Sequence, residues 1–253
     1  MKTIIVIPTY NEKDNIKELI RAIRTKASEP KIDILIVDSA SPDGTATAIL
    51  NMQKTDSALH LINQEAKLGL GKAYLEGMQW VLDHNYDYLI TMDADFSHHP
   101  RYINYLLTEI ENCDLVVGSR YTRFGELRNW PLVRRFLSRF ANWYARIISG
   151  LPFCDLTSGF HCFRTALLKK ILRRRISTEG YAFLIELKFL AVMEQARCKE
   201  IPIVFTNRTQ GESKISKRVI FESMCFVLKL AFQRNHIHQI TTASMQRQSV
   251  PSN

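Results

Sequence analysis

The chain has 253 residues, 46% of them hydrophobic, which suits one large α/β domain with a sizeable core. Five scattered cysteines (Cys113, Cys154, Cys162, Cys198 and Cys225) form no Cys-x-x-Cys pair, which argues against a disulfide framework or a zinc site and fits a reducing cytoplasm. A net charge of +9, from 34 basic and 25 acidic residues, favours anionic partners such as nucleic acid, phospholipid headgroups or phosphorylated substrates, without choosing among them.

Residues 3–9 form a continuous apolar run, the pattern of a strand buried on both faces. The run is too short for the apolar stretch of a signal peptide, and polar Asn11 and Glu12 follow it, so no signal peptide is expected. Ile16, Leu19, Ile20 and Ile23 recur at helical spacing and predict a helix over 13–26. A second buried strand is expected over 32–37, a helix over 43–52 and a short strand over 58–62. A helix over 71–83 carries Ala73, Gly77 and Trp80, and a strand over 88–92 follows. A helix over 100–111 and a strand over 115–119 complete the alternation. This order predicts a mainly parallel sheet with helices on both faces.

The alternation breaks after Tyr121, and residues 122–130 read as loop. The helix expected over 131–149 differs in character. Leu132, Val133, Phe136, Leu137, Phe140, Trp143, Tyr144, Ile147 and Ile148 form its apolar set, while Arg135, Arg139, Asn142 and Arg146 fall on another face. A basic amphipathic helix with aromatics suits a membrane surface. It suits equally a helix docked on its own domain with solvated arginines. A strand over 158–164, helices over 166–172 and 182–195, a strand over 199–206 and a more apolar helix over 219–233 follow. The polar, aperiodic stretch 236–253 is expected to be disordered. No run of 18 apolar residues exists; 136–151 and 219–233 are interrupted by Arg139, Arg146, Glu222 and Lys229, so no membrane-spanning helix is expected.

Asp93 and Asp95 follow directly on the strand over 88–92. Side chains at i and i+2 of an extended segment share a side, and open α/β sheets bind ligands at the carboxyl ends of their strands. Two such carboxylates suit Mg²⁺ or Mn²⁺ shared with substrate phosphates. A lone Asp-x-Asp is more often a solvated acidic turn; its place after a buried strand reverses that preference. The first strand ends in Pro8, Thr9, Tyr10, Asn11 and Glu12, and the second in Asp38, where a carboxylate can accept hydrogen bonds from a ribose or a base. Ser41-Pro42-Asp43-Gly44 is also a plain turn with a helix start. Gly69 and Gly71 open the third helix, where backbone amides can approach an anion and Lys67 or Lys72 can add charge; read alone, this is a glycine-containing turn. Downstream, a basic loop with Arg208, Gly211 and Lys214 follows a strand end, as a loop folding over a diphosphate requires.

With these motifs in order, the chain resembles glycosyltransferase family 2, in particular the polyprenol-phosphate (dolichol-phosphate) mannose synthase group. The likeness runs from about Lys2 to Phe232. It is carried by Pro-Thr-Tyr-Asn-Glu at 8–12, Ser-Pro-Asp-Gly-Thr at 41–45, Leu-Gly-Leu-Gly-Lys-Ala at 68–73, Met-Asp-Ala-Asp at 92–95, Gly-Ser-Arg-Tyr at 118–121, Asp-Leu-Thr-Ser-Gly-Phe at 155–160, and the segment from Phe205 through Arg208 and Gly211 to Lys214. The last is the most specific for the subgroup. The resemblance implies a GT-A fold over 1–235, with a nucleotide-binding part over about 1–120 and an acceptor and interface part over about 121–235. It implies a metal-dependent, inverting transfer of mannose from GDP-mannose to a polyprenyl or dolichyl phosphate. By the same resemblance Pro8, Tyr10, Glu12, Asp38 and Lys72 line the nucleotide pocket. Asp93, Ala94 and Asp95 meet the donor, with the two carboxylates on Mg²⁺ or Mn²⁺. Ser119, Arg120, Arg134 or Arg135, Arg208 and Lys214 meet the acceptor phosphate, and Asp95, Arg120, Arg208 and Lys214 are the catalytic set. A phosphate nucleophile, already anionic at neutral pH, needs no strong base; Asp155 is the candidate base for a hydroxyl acceptor. The lipid acceptor implies an enzyme peripheral to the cytoplasmic face of a membrane, relying on its own helices or on a small membrane partner.

One departure stands out: the family usually has two acidic residues after the second strand, and here Ser39 follows Asp38. Ser97 stands where some relatives have Gln. The alternative donor is UDP-glucose or another nucleotide hexose. A remoter alternative, a basic peripheral membrane or nucleic-acid-binding protein with a degenerate site, is opposed by intact Asp93, Asp95, Arg208 and Lys214, and no aromatic–basic nucleic-acid motif is present.

Overall fold

The computed structural model describes residues 1–27, 32–174, 176, 178, 180–206 and 217–231. The first half alternates β1 (Thr3–Thr9), α1 (Lys13–Lys26), β2 (Asp33–Asp38), α2 (Thr45–Gln53), β3 (Leu59–Asn63), α3 (Leu70–Asp83) and β4 (Tyr88–Thr91). A 3₁₀ turn at Pro100–Tyr102 leads into α4 (Ile103–Ile110) and β5 (Leu115–Ser119). The second half holds β6 (Glu126–Arg128), α5 (Leu132–Ser149), β7 (His161–Arg164), α6 (Thr165–Leu172), α7 (Gly180–Met193), β8 (Cys198–Pro202), β9 (Val204–Thr206) and α8 (Lys217–Ala231).

The main sheet has the order β3-β2-β1-β4-β7-β5-β8. Its strands are parallel except β7, which runs antiparallel between β4 and β5. The apolar runs of β1 and β2 arise because both faces are covered. Ile4 and Val6 of β1 pack with Ala73 and Met78 of α3, while Ile5 and Ile7 pack with Ile16 and Leu19 of α1. Alternate side chains of one strand thus serve two cores. Gly77 lets α3 come close: a Cβ there would lie 2.6 Å from Val6 Cγ1.

Three local expectations change. The strand expected over 158–164 begins at His161, because the Ser158 hydroxyl turns away to donate to the Gly118 carbonyl at 2.5 Å. The expected loop over 122–130 contains β6, which pairs with β9 in a small parallel sheet. With one buried side chain, Leu127, β6 is too short to leave a periodic signature. The single strand expected over 199–206 divides into β8 and β9 at Ile203. Its N–H donates to the Ser119 carbonyl of the main sheet, at 3.0 Å, and its carbonyl accepts from Glu126, at 3.0 Å.

Helix α5 is docked on its own domain, with Tyr144 and Ile148 partly buried against the core. Asn142, Ala145 and Ser149 form its buried side. Leu132, Val133, Phe136, Leu137, Phe140, Trp143 and Ile147 are 49–79% exposed. Gly150, in left-handed backbone at φ 71°, ends the helix. Among the described residues no helix is long and apolar enough to cross a membrane.

Candidate active site

The carboxyl ends of β1, β2 and β4 share one edge of the sheet. The loops leaving them each hold a non-glycine residue in left-handed backbone: Asn11 (φ 55°), Ala40 (φ 53°) and Phe96 (φ 60°). Such conformations cost on the order of 1 kcal/mol and persist where the surroundings over-determine them.

At the β1–β2 end, Asp38 is fully buried. The hydroxyls of Thr9 and Ser41 both donate to its Oδ1, at 2.6 and 2.7 Å, and the Ser41 N–H donates to Oδ2 at 2.9 Å. Pro8, Tyr10 and Glu12 are half-buried on the same loop. The Tyr10 ring carries the Lys67 ammonium 3.7 Å from its centroid. The Glu12 N–H donates to the Thr45 hydroxyl at 3.1 Å, which ties the start of α1 to α2. Ser39 does not stand alone: its hydroxyl donates to Gln64 Oε1 at 2.8 Å, and Gln64 Nε2 donates to Glu76 at 2.7 Å. Lys72 is exposed in the first turn of α3. Gly71 is there for packing, since a Cβ would lie 3.2 Å from the Thr178 carbonyl.

At the end of β4, Asp93 and Asp95 are both half-buried and Ala94 is buried between them. The Asp93 N–H donates to Nδ1 of His98 at 3.0 Å, and the Tyr74 hydroxyl lies 3.4 Å from Asp93 Oδ1. The Ser97 N–H donates to Asp95 Oδ1 at 3.1 Å. His98 is buried and stacks on Phe160 with centroids 4.9 Å apart. Burial lowers its pKa, and the accepting Nδ1 places the ring proton of the neutral form on Nε2. Burial, then the Asp93 charge, raises the Tyr74 hydroxyl well above its ordinary value, so it stays a donor. The donor set for a cation here is all oxygen, the chemistry that suits Mg²⁺ or Mn²⁺. Among the described residues no third His, Cys, Asp or Glu joins the pair. The buried Ser97 hydroxyl beside it has no protein partner. Substrate oxygens and water can complete such a site, so the residues fit a divalent ion carried with its substrate.

Across Gly159 lies a cationic group. A Cβ on Gly159 would sit 3.7 Å from Asp93 Oδ1. Arg120, nearly buried after β5, donates through Nε and Nη2 to the two oxygens of Asp155, at 2.7 Å each, and through Nη2 to the Thr157 hydroxyl at 2.7 Å. Phe205 links the two halves, its ring 5.2 Å from the Arg120 guanidinium and 5.5 Å from His98. Burial pushes the Asp155 carboxyl up, but the charge and hydrogen bonds of Arg120 outweigh it and hold the group below its ordinary range. A buried carboxylate gripped at both oxygens is a poor proton acceptor, so the base role considered for Asp155 does not fit its surroundings. Ser119 is fully buried, Arg134 lies 3.9 Å from the Trp130 ring centroid, and Arg135 is half-buried with its Nε unpartnered. Arg208 and Lys214 lie outside the described residues.

Sequence reading misses the residues that suspend this turn. Asn142 of α5 accepts from the Leu156 N–H at 2.9 Å and donates to the Thr157 hydroxyl at 3.0 Å. Glu200 of β8 accepts the N–H groups of Cys154 and Asp155 at 2.7 and 2.9 Å. Lys188 of α7 lies beneath them, fully buried. Its one sequence signal is a cation in an otherwise largely apolar helix.

Residues 4–174 match the family described as Glycosyl transferase family 2. The polyprenol monophosphomannose synthase of Mycolicibacterium smegmatis is 38% identical over 225 residues, covering 88% of this chain and 84% of that protein. The undecaprenyl-phosphate mannosyltransferase of Micrococcus luteus is 36% identical over 229 residues, covering 90% and 93%. Among solved structures, glucosyl-3-phosphoglycerate synthase from Mycobacterium tuberculosis, in complex with Mn²⁺, uridine diphosphate and phosphoglyceric acid, aligns with a TM-score of 0.65. At 16% identity, over 91% of this chain and 78% of that one, it shares the GT-A-like fold.

Proposed function

Because the chain belongs to glycosyl transferase family 2 and is a glycosyltransferase, we propose that it transfers mannose from GDP-mannose to a polyprenyl phosphate with inversion. The observation that carries the lipid acceptor is the pairing of the Arg120 cluster with α5. Asn142 on the buried side of α5 bonds the same Thr157 hydroxyl as Arg120, while the other side of the helix exposes its apolar residues. A cation for a phosphate thus sits at the foot of a helix suited to a membrane surface. The activities for which the two sequence relatives are named support both the mannose and the polyprenyl phosphate.

In this reading one catalytic unit spans 1–235. Pro8, Tyr10, Glu12, Asp38 and Lys72 frame the nucleotide. Asp93 and Asp95 would hold Mg²⁺ or Mn²⁺, which when bound offsets the charge that develops on the leaving diphosphate. Ser119, Arg120, Arg134, Arg135, Arg208 and Lys214 orient the acceptor phosphate. Its second pKa of about 6 leaves it anionic at neutral pH, so the chain supplies position and positive charge in place of a base. The enzyme works from the cytoplasmic face of the membrane, where each basic side chain near an anionic leaflet adds about 1 kcal/mol.

The second donor to test is UDP-glucose, because Ser39, a neutral hydroxyl bonded to Gln64, stands where the family usually has a carboxylate. A transfer assay with both nucleotide sugars, a divalent ion and a short polyprenyl phosphate decides. Lipid-extractable sugar from GDP-mannose alone is the expected result, and product from UDP-glucose alone overturns the donor assignment.

A further inference from the structure

Lys188 is a cation set in the core. Its ammonium donates to the carbonyls of Leu156 and Ser158 at 3.2 and 2.9 Å, meets Nε2 of His161 at 2.8 Å, and lies 3.4 Å from the Leu184 carbonyl of its own helix. His161 continues the chain: its Nδ1 is 3.1 Å from the Thr91 hydroxyl, which donates to the Gly159 carbonyl at 2.7 Å. Burial, then the Lys188 charge, holds His161 well below its ordinary pKa, so Nε2 is available as an acceptor. Three carbonyls and a neutral imidazole form a cage suited to an ammonium. Two of those carbonyls belong to the turn 155–159, which carries Asp155, the partner of Arg120, and Gly159, the neighbour of Asp93. A buried charge is a costly way to fill space, and an apolar chain of the same length would pack there.

We infer that Lys188 is a positioning residue for the acceptor side of the site, gripping the carbonyls of Leu156 and Ser158 so that the turn 155–159 holds Arg120 against the acceptor phosphate. The part played in transfer rests on the proposed function; the grip rests on geometry alone. The charged and titratable groups around the ammonium are Asp155 on the turn, Glu200 and Cys198 on β8, Arg120 after β5 and His161 on β7. Burial pulls the Lys188 pKa down to about 7 against the opposing pull of Asp155 and Glu200, so its charge changes across neutral pH.

The test compares the full chain with Lys188→Met, and with Lys188→Gln, which keeps donors without the charge. Amide hydrogen exchange is followed over 154–160, and initial rates are measured with nucleotide sugar and lipid phosphate varied separately. In Lys188→Met, exchange over 154–160 should quicken while β1 and β2 remain protected. The kcat/KM for lipid phosphate should fall on the order of 10- to 100-fold, with the donor KM within about twofold of wild type. Lys188→Gln should recover part of the loss, and both variants should lack the decline in kcat/KM that loss of the Lys188 charge predicts for wild type as pH rises through about 7; the acceptor phosphate's own ionisation, at about 6, stays in all three. Unchanged exchange overturns the inference. So does a parallel fall of both kinetic constants in step with lost folded protein, which marks a merely structural residue. A wild-type chain inactive on the lipid phosphate overturns the proposed function instead, and the exchange comparison still decides the grip.

Discussion

At Asp95, chemistry and folding can be separated. Its side chain is half-buried and accepts a turn hydrogen bond from the Ser97 N–H, a contact worth about 1 kcal/mol that Asp95→Ala forfeits. The variant should keep the wild-type circular dichroism spectrum and show no metal-dependent transfer; normal turnover would sink the metal assignment. Arg120 and Asp155 behave differently because both are buried. The Asp155 carboxyl is held below its unfolded value, near 4. The pair's stabilisation is therefore fully present above that value and lost as pH falls through the folded one. Arg120→Met leaves an uncompensated buried charge, a loss of roughly 3–5 kcal/mol at neutral pH. Urea unfolding of both proteins should show this gap narrowing in acid as Asp155 is protonated; a constant gap would show that the ion pair is not its source. Asp93, Asp95 and Arg120 are legible in the sequence because each follows directly on an apolar strand. Asn142, Lys188 and Glu200 are not, because their partners lie 14, 30 and 45 residues away in the chain. Asn142 reads as one more polar residue among arginines and is instead the buried anchor of α5.

Helix α5 shows how far amphipathicity can be read. Periodicity separates an apolar from a polar face but does not say which one meets the protein. Here Asn142, Ala145 and Ser149 are buried, Tyr144 and Ile148 are partly buried against the same core, and Phe136, Phe140 and Trp143 face out. Phe136 stacks on Phe140 with centroids 6.4 Å apart, and Phe140 meets Trp143 at a tilt with centroids 5.8 Å apart. Phe136→Glu with Phe140→Glu removes roughly 1.5 kcal/mol of apolar burial per residue, so partition onto anionic vesicles should fall about a hundredfold without loss of thermal stability. Sedimentation with the vesicles checks this, and undiminished binding would exclude the face from membrane contact. The α3–β1 contact makes the opposite demand. Gly77→Ala gains about 1 kcal/mol in helix propensity. Its Cβ would meet Val6 Cγ1 at 2.6 Å and Val37 Cγ2 at 3.2 Å, and overpacking costs about 1–3 kcal/mol. The clash should win, lowering the urea midpoint; a raised midpoint would mean that α3 shifts freely.

At the scale of the molecule, the βαβ alternation announces the first half, because buried parallel strands leave unbroken apolar runs and their helices a 3.6-residue period. Strand direction is written in neither, so β7 can be recognised as a strand but its reversal cannot. That reversal has a consequence for how the chain is made. β4 finds its outer neighbour only when His161–Arg164 arrives, about 70 residues later. At roughly 5–20 residues per second this is a delay of several seconds during synthesis. Throughout that interval the ribosome-bound chain carries an apolar strand with one hydrogen-bonding edge unmatched, directly before Asp93 and Asp95. Asp93 and Asp95, and the turn they sit in, then act as a charged stop that discourages another nascent chain from pairing there.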